Sequence, residues 1–289
     1  MSSTLANILF FGLAYGMILY MTSVGLSITM GLMGFVNLAH GVFAMLGGYA
    51  TVTLMNSLAV PFLPALLAAC IIVTGLGFAL ERLLYRRLYG AAELDQVLFS
   101  MALIFISVAI ARIFWGPLAQ PIVLPHYLQG HFDLAGATIP TYRLFLLIFG
   151  GAIAAALWFG FDRTLFGARV RAAVENHEMA EAVGINTDRL FALTFGLGTG
   201  LAALGGGLGA EILAISPGYP LQYIIFFLIV VAVGGLGSIK GPLYAALIIG
   251  LADTATKYLM PEVGMIFVFA FVFLLLRWRP QGIVSRRKG

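Results

Sequence analysis

Long apolar stretches separated by short polar punctuation run the whole length of this 289-residue chain. A helix crossing a bilayer needs about 20 mostly apolar residues. Such runs occupy residues 8–30, 32–56, 61–80, 96–115, 143–161, 190–214, 221–236, 242–260 and 262–277. Between them stand ordinary helix breakers: Pro61 and Pro64, Gly116-Pro117, Pro217 with Pro220, Gly241-Pro242, and Pro261. The pattern predicts one all-α polytopic membrane domain over residues 1–289, with about 8–9 transmembrane helices. Two runs depart from it. The second is interrupted by Gly31, Gly34, Asn37, His40, Gly41, Gly47 and Gly48, and the seventh is short and passes into Gly234-Gly235-Leu236-Gly237-Ser238.

Composition removes the soluble alternative. Charged residues make up only 10% of the chain and apolar ones 61%, with a mean hydropathy of +1.02. A soluble domain carries roughly 25% charged residues, so this chain cannot cover a water-exposed surface. The many glycines suit closely packed membrane helices. Cys70 is the single cysteine, which excludes an internal disulfide and reads as a small buried hydrophobe. The start, MSSTLAN, has no basic region before the first apolar run, so that run is expected to be a retained span and not a cleaved signal.

Charge distribution gives the orientation. Arg82, Arg86 and Arg87 share one loop, Arg163, Arg169, Arg171 and Arg189 another, and Arg277, Arg279, Arg286, Arg287 and Lys288 the tail. With Lys240 these are thirteen of the sixteen Lys and Arg residues, and all fall on one side of the span list. Only Arg112, Arg143 and Lys257 lie toward the other side. Basic loops stay cytoplasmic, which places the C-terminus inside and the long, base-free loop 116–142 outside. Three spans before Arg82 put the N-terminus outside; a second segment that only half-crosses moves it inside.

Residues 162–190 concentrate charge in a connection far longer than a helical hairpin needs. The spacing predicts a helix from Ala168 to Val183, with Ala172, Asn176, Met179, Ala180 and Val183 on one face. Gly184 is the expected left-handed stop, and Asn186, Thr187 or Asp188 the cap of the next span. A surface-lying membrane helix usually buries bulky groups. This stripe offers only Met179 among small residues, which suits a groove in another protein.

Gly167-Ala-Arg-Val-Arg-Ala-Ala, followed by Glu175-Asn176, Met179-Ala180 and Gly184-Ile-Asn-Thr-Asp-Arg189, resembles the coupling segment of ATP-binding-cassette importer permeases. More narrowly it is similar to the LivH-type permeases of branched-chain amino-acid importers. The stretches Gly25-Leu26-Ser27, Gly31, Gly34, Asn37-Leu-Ala-His-Gly41 with Gly47-Gly48-Tyr49, and Gly234-Gly-Leu-Gly-Ser-Ile-Lys-Gly-Pro242 match the same family, in order along the chain. The resemblance implies a type II-like importer permease fold with broken, glycine-rich helices, in the bacterial inner membrane. It implies that Arg169, Arg171, Ala172, Glu175, Asn176, Met179, Ala180 and Gly184 contact a separate ATPase. The partners it implies are a second permease in a heterodimer, two ATP-binding subunits and an extracytoplasmic binding protein, with an amino acid as substrate. Related permeases extend the substrate range to urea and short amides. No cofactor or nucleic acid is expected. The chain itself carries no G-x-x-x-x-G-K-[ST] loop, so it is expected to be a non-catalytic subunit.

Polar residues within the spans are costly and need a role or a partner. Asn37 and His40 share a face in the interrupted second span. They, with Gly41, Gly235 and Ser238, are the candidate lining of the translocation pathway, since broken spans in transporter halves mark it. Close helix packing is the competing reading for the glycines. Asp253 and Lys257, four apart, can pair on one helix face. Two other classes remain open: an ion-coupled carrier using His40, Glu211 or Asp253, and a hydrolase with Ser238 as nucleophile and His40 as base. His126 and His131 in the external loop are weak metal candidates. The loop reads instead as a landing surface for a binding protein.

Overall fold

The computed structural model describes residues 2–35, 37–134, 136–262, 264–278 and 282–283. Among these, eleven α-helices account for nearly all regular structure. They are α1 (Ser2–Met33), α2 (His40–Leu58), α3 (Phe62–Leu83), α4 (Glu93–Trp115), α5 (Thr141–Arg163), α6 (Leu165–Glu175), α7 (His177–Ala182), α8 (Thr187–Leu213), α9 (Tyr219–Gly234), α10 (Lys240–Leu259) and α11 (Gly264–Trp278). Each apolar run corresponds to one helix. Six of them (α1–α5 and α8) are long and apolar enough to cross a bilayer, which makes the chain a multi-pass membrane protein. The all-α expectation for the bundle holds, with one small addition in a loop. Loop 116–142 contains an antiparallel hairpin, β1 (His131–Leu134) with β2 (Ala137–Pro140), in the register His131 to Pro140 and Leu134 to Ala137.

Helix α8 is the axis of the bundle. Its glycines let three neighbours approach at backbone distance. A methyl group at Gly206 would sit 1.9 Å from the Ala44 carbonyl of α2, one at Gly200 2.1 Å from the Thr74 hydroxyl of α3, and one at Gly25 of α1 2.4 Å from the Gly198 carbonyl. Helix α1 runs antiparallel to both α8 and α10, with Gly12 against Leu251, Gly16 against Ala246 and Gly25 against Gly198. Without a hydrophobic force between helices in lipid, such close backbone contact is what holds them. Helices α3, α4 and α5 face outward, exposing Ile71, Phe105, Ile113, Ile148 and Phe159. In a bilayer these side chains meet hydrocarbon or a partner's apolar face.

The two ends of the bundle are distinct. At one end, Arg86 pairs with Asp188, Arg171 reaches Asp162 at 3.9 Å, and Lys240 Nζ lies 3.0 Å from Asp162. The tail reaches this end too, where the Ile283 amide donates to the Val233 carbonyl at 2.7 Å. Arg279, Arg286, Arg287 and Lys288 lie outside the described residues. At the opposite end, the start of α1 packs on the hairpin, with the rings of Phe10 and Phe132 6.3 Å apart. Arg143 stacks there on Phe11 at 4.7 Å. The N-terminus therefore shares an end with loop 116–142.

Candidate functional site: a coupling segment on a glycine junction

The charged connection folds as two helices, not one. The expected continuous helix from Ala168 to Val183 is broken at Asn176, whose backbone is extended (φ −155°, ψ 103°). Asn side chains compete for backbone donors, and the Asn176 carbonyl oxygen accepts the Met179 amide at 2.9 Å. Losing one helical residue here starts a new, capped helix. Thr164 and Asn186 play the same part for α6 and α8, accepting from the amides of Gly167 and Arg189. Of the three cap candidates for α8, the chain uses Asn186. Gly184 closes α7 in the left-handed region (φ +86°). Its amide bonds Glu181 O at 2.9 Å while that of Ile185 bonds Ala180 O at 3.0 Å, a Schellman closure.

The break changes which residues face outward. Arg169, Glu175, Asn176, Met179, Val183 and Gly184 are exposed, while Arg171 and Ala172 are partly covered. Ala180 is only 3% exposed, so it belongs to the base of the segment and not to its surface. Arg171 is likewise engaged within the chain, donating to the Phe161 carbonyl. The inner face is held by Val170, Ala173 and Ala180 and by Gly167, where a methyl would fall 2.0 Å from the Phe161 carbonyl. On α7, His177 stacks on Phe191 of α8 at 5.3 Å and lies 3.6 Å from Glu181. Glu181 accepts from the Thr187 hydroxyl.

Three distant sequence motifs meet beneath α6. Helix α9 ends at Gly234, and the chain turns through Gly235 (φ +95°) and Gly237 (φ +70°) before α10. A methyl at Gly31 of α1 would lie 2.3 Å from Gly237 Cα, and one at Gly237 would lie 3.1 Å from Val174 of α6. The Ser27 hydroxyl shares its one proton between the carbonyls of Gly235 and Ser238, each at 3.1 Å, and the Gly237 amide donates to Ser27 O at 2.9 Å. Ser238 Oγ accepts the Gly241 amide at 3.0 Å. Lys240 completes the junction, paired with Asp162 and stacked on Trp158 at 4.8 Å. The glycine pattern marked these segments separately, but no periodicity in the sequence shows that Ser27 and Val174 share the turn.

The second group, Asn37 and His40, lies elsewhere in the bundle. Gly34 (φ +61°) ends α1 and the helix resumes at His40. Both side chains are 1% exposed. Asn37 Oδ1 accepts from the Tyr85 hydroxyl at 3.1 Å. Asn37 Nδ2 and His40 Nε2 are buried and have no hydrogen-bond partner among the described residues. Gly41 packs on α9, where its methyl would lie 3.1 Å from Pro220 Cα. Gly47 and Gly48 lie inside α2 and serve packing, not interruption. No hydrogen bond joins Ser238 to His40 among the described residues, so the nucleophile–base pair of the hydrolase alternative is not assembled. Asp253 and Lys257 do pair, at 2.6 Å, and the described residues include no group of three metal-ligating side chains.

A family profile for "Branched-chain amino acid transport system / permease component" matches residues 8–276. The chain is 27% identical to the high-affinity branched-chain amino acid transport system permease protein BraD of Pseudomonas aeruginosa, over 95% of this chain and 94% of that protein. It is 26% identical to the high-affinity branched-chain amino acid transport system permease protein LivH of Escherichia coli, over 96% of this chain and 94% of that one. A probable branched-chain amino acid transport permease protein LivH from Methanocaldococcus jannaschii is also 26% identical, over 84% of this chain and 78% of its own length. No solved structure matches. With its glycine junction, its capped two-helix connection and a profile spanning nearly its full length, the chain belongs to the permease components of branched-chain amino acid transport systems.

Proposed function

We propose that the chain is the membrane-spanning subunit of an ATP-driven importer for branched-chain amino acids, acting with two separate ATPase subunits, a second permease and an extracytoplasmic binding protein. The observation that carries this reading is the α6–α7 segment. Its outer face is free and its inner face rests on the junction that ties α1 to α9 and α10. A push on Met179 or Val183 from outside is transmitted through Val174 to Gly237 and from there to Gly31 and Ser27. Rigid capping by Thr164, Asn176 and Asn186 makes the segment a lever and not a loose loop.

In this reading the α6–α7 end is cytoplasmic in an inner membrane, because the basic residues gather there. Nine helices alternate across the bilayer, starting outside. Loop 116–142 with its hairpin receives the binding protein. Asn37 and His40 line the route of the substrate, and Gly235 and Ser238 form the hinge beside it. The names of the relatives support branched-chain amino acids as the substrate.

The test is purification of the complex from native membranes, followed by uptake in vesicles. A complex of two permeases and two ATPases, taking up leucine only with ATP, is the expected result. Leucine uptake driven by a proton or sodium gradient without ATP would establish an ion-coupled carrier instead.

A further inference from the structure

A recess at the loop 116–142 end, far from the coupling segment, has the chemistry of an amino-acid site. Its volume is about 390 Å³, at the lower end of the ~300–1,000 Å³ typical of small-molecule sites. Three charged groups converge on it from two helices. Asp253 on α10 is nearly buried, with 6% of its side chain exposed, and is paired at 2.6 Å with Lys257, which is 66% exposed. Arg143 at the start of α5 stacks on Phe11 and has no carboxylate within 4.0 Å among the described residues. Ile212, Leu213, Phe226 and Phe269 give one part of the wall an apolar surface, beside the polar groups of Gln222, Thr254 and Tyr223.

A buried carboxylate with a solvent-exposed ammonium partner and a separate guanidinium matches a zwitterion. An α-ammonium can replace Lys257 on Asp253, and the released Lys257 and Arg143 then flank the α-carboxylate. Arg suits a carboxylate because its planar fork can donate two parallel bonds. The apolar wall remains for a branched aliphatic side chain.

The recess also leads inward. Tyr223 in its wall sits 4.6 Å, ring to ring, from Tyr219, which is fully buried with an unpaired hydroxyl. Tyr219 adjoins Pro220, against which Gly41 packs, next to His40, whose Nε2 has no partner among the described residues. Unpaired buried polar atoms are rare in folded proteins and call for a role. From these observations we infer that the recess is where an apolar amino acid released at the outer face first binds this subunit: Asp253 takes the ammonium, Arg143 and Lys257 the carboxylate, and Ile212 and Phe226 the side chain. The inference rests on the transport function proposed above.

The test uses the reconstituted full complex, with ATP inside and binding protein outside, in wild-type, Arg143→Gln, Arg143→Lys and Phe226→Ala forms. Wild-type uptake of leucine establishes the transport function first; its absence would defeat that function, not the placement of the site. Arg143→Gln is expected to lower leucine uptake about tenfold while binding-protein-stimulated ATP hydrolysis persists, with partial recovery in Arg143→Lys. Phe226→Ala is expected to raise phenylalanine uptake relative to valine, a ratio that a merely structural defect does not move. A second readout is independent of turnover. In a Cys70→Ala background, Gln222→Cys at the rim should react with an impermeant maleimide, and millimolar leucine should slow that reaction. Unchanged substrate ratios in Phe226→Ala together with no protection by leucine would overturn the assignment.

Discussion

The two breaks in the helical bundle look alike in sequence and differ in structure. At Gly235–Ser238 the polar groups of the turn find partners: Ser27 serves two carbonyls, and Ser238 takes the Gly241 amide. At Gly34–His40 the turn leaves Asn37 Nδ2 and His40 Nε2 buried without partners. The difference separates two roles that glycine-rich interruption suggests equally. A break held by several hydrogen bonds and close backbone contact suits a mechanical junction, since any change of spacing costs those bonds. A break that holds unpaired polar atoms within an apolar bundle bears a cost that structure alone does not repay.

The largest effect is expected where the junction has no space. Gly31→Leu would drive side-chain atoms into the Gly237 backbone, and overpacking against backbone should cost about 3 kcal/mol or more. Loss of a monodisperse complex in detergent is the expected readout. Ser27→Ala should be milder, removing one proton shared between two carbonyls, with a loss of about 1–2 kcal/mol seen as a lowered thermal midpoint. His40→Phe should show the opposite profile. It removes an unpaired buried nitrogen together with the ring's hydrogen bond to the Thr22 backbone, so stability should fall by no more than about 1.5 kcal/mol, while leucine uptake falls about tenfold. A His40→Phe protein that transports normally would make this break a packing feature and erase the contrast.

Much of this was legible in sequence, and the failures have physical causes. Each apolar run became a helix, because membrane spans are written in length and hydropathy. Gly184 and Asn186 stand where their backbone preferences place them. The helix across Asn176 was misread because 3.6-residue periodicity continues through a residue that can equally cap a new helix. Ala180 then turned inward, since the break rotates everything after it. The partnership of Ser27, Gly237 and Val174 is invisible for another reason: it joins residues more than sixty positions apart, and nothing local encodes it. Asp253 and Lys257 announced a pair by spacing, but the recess they share with Arg143 appears only when α5 and α10 are brought together.

In the proposed importer a separate ATPase acts on the exposed face of α6–α7 from the cytoplasm. Met179 is 61% exposed, so Met179→Glu should alter the permease's own stability by no more than about 0.5 kcal/mol. The direct measurement is retention of the ATPase subunits on affinity-purified Met179→Glu permease, with ATP-driven leucine uptake measured in the same preparation. The expected result is a normally folded permease that has lost both its ATPase and its uptake. A variant that keeps its ATPase and transports leucine at the wild-type rate would contradict it.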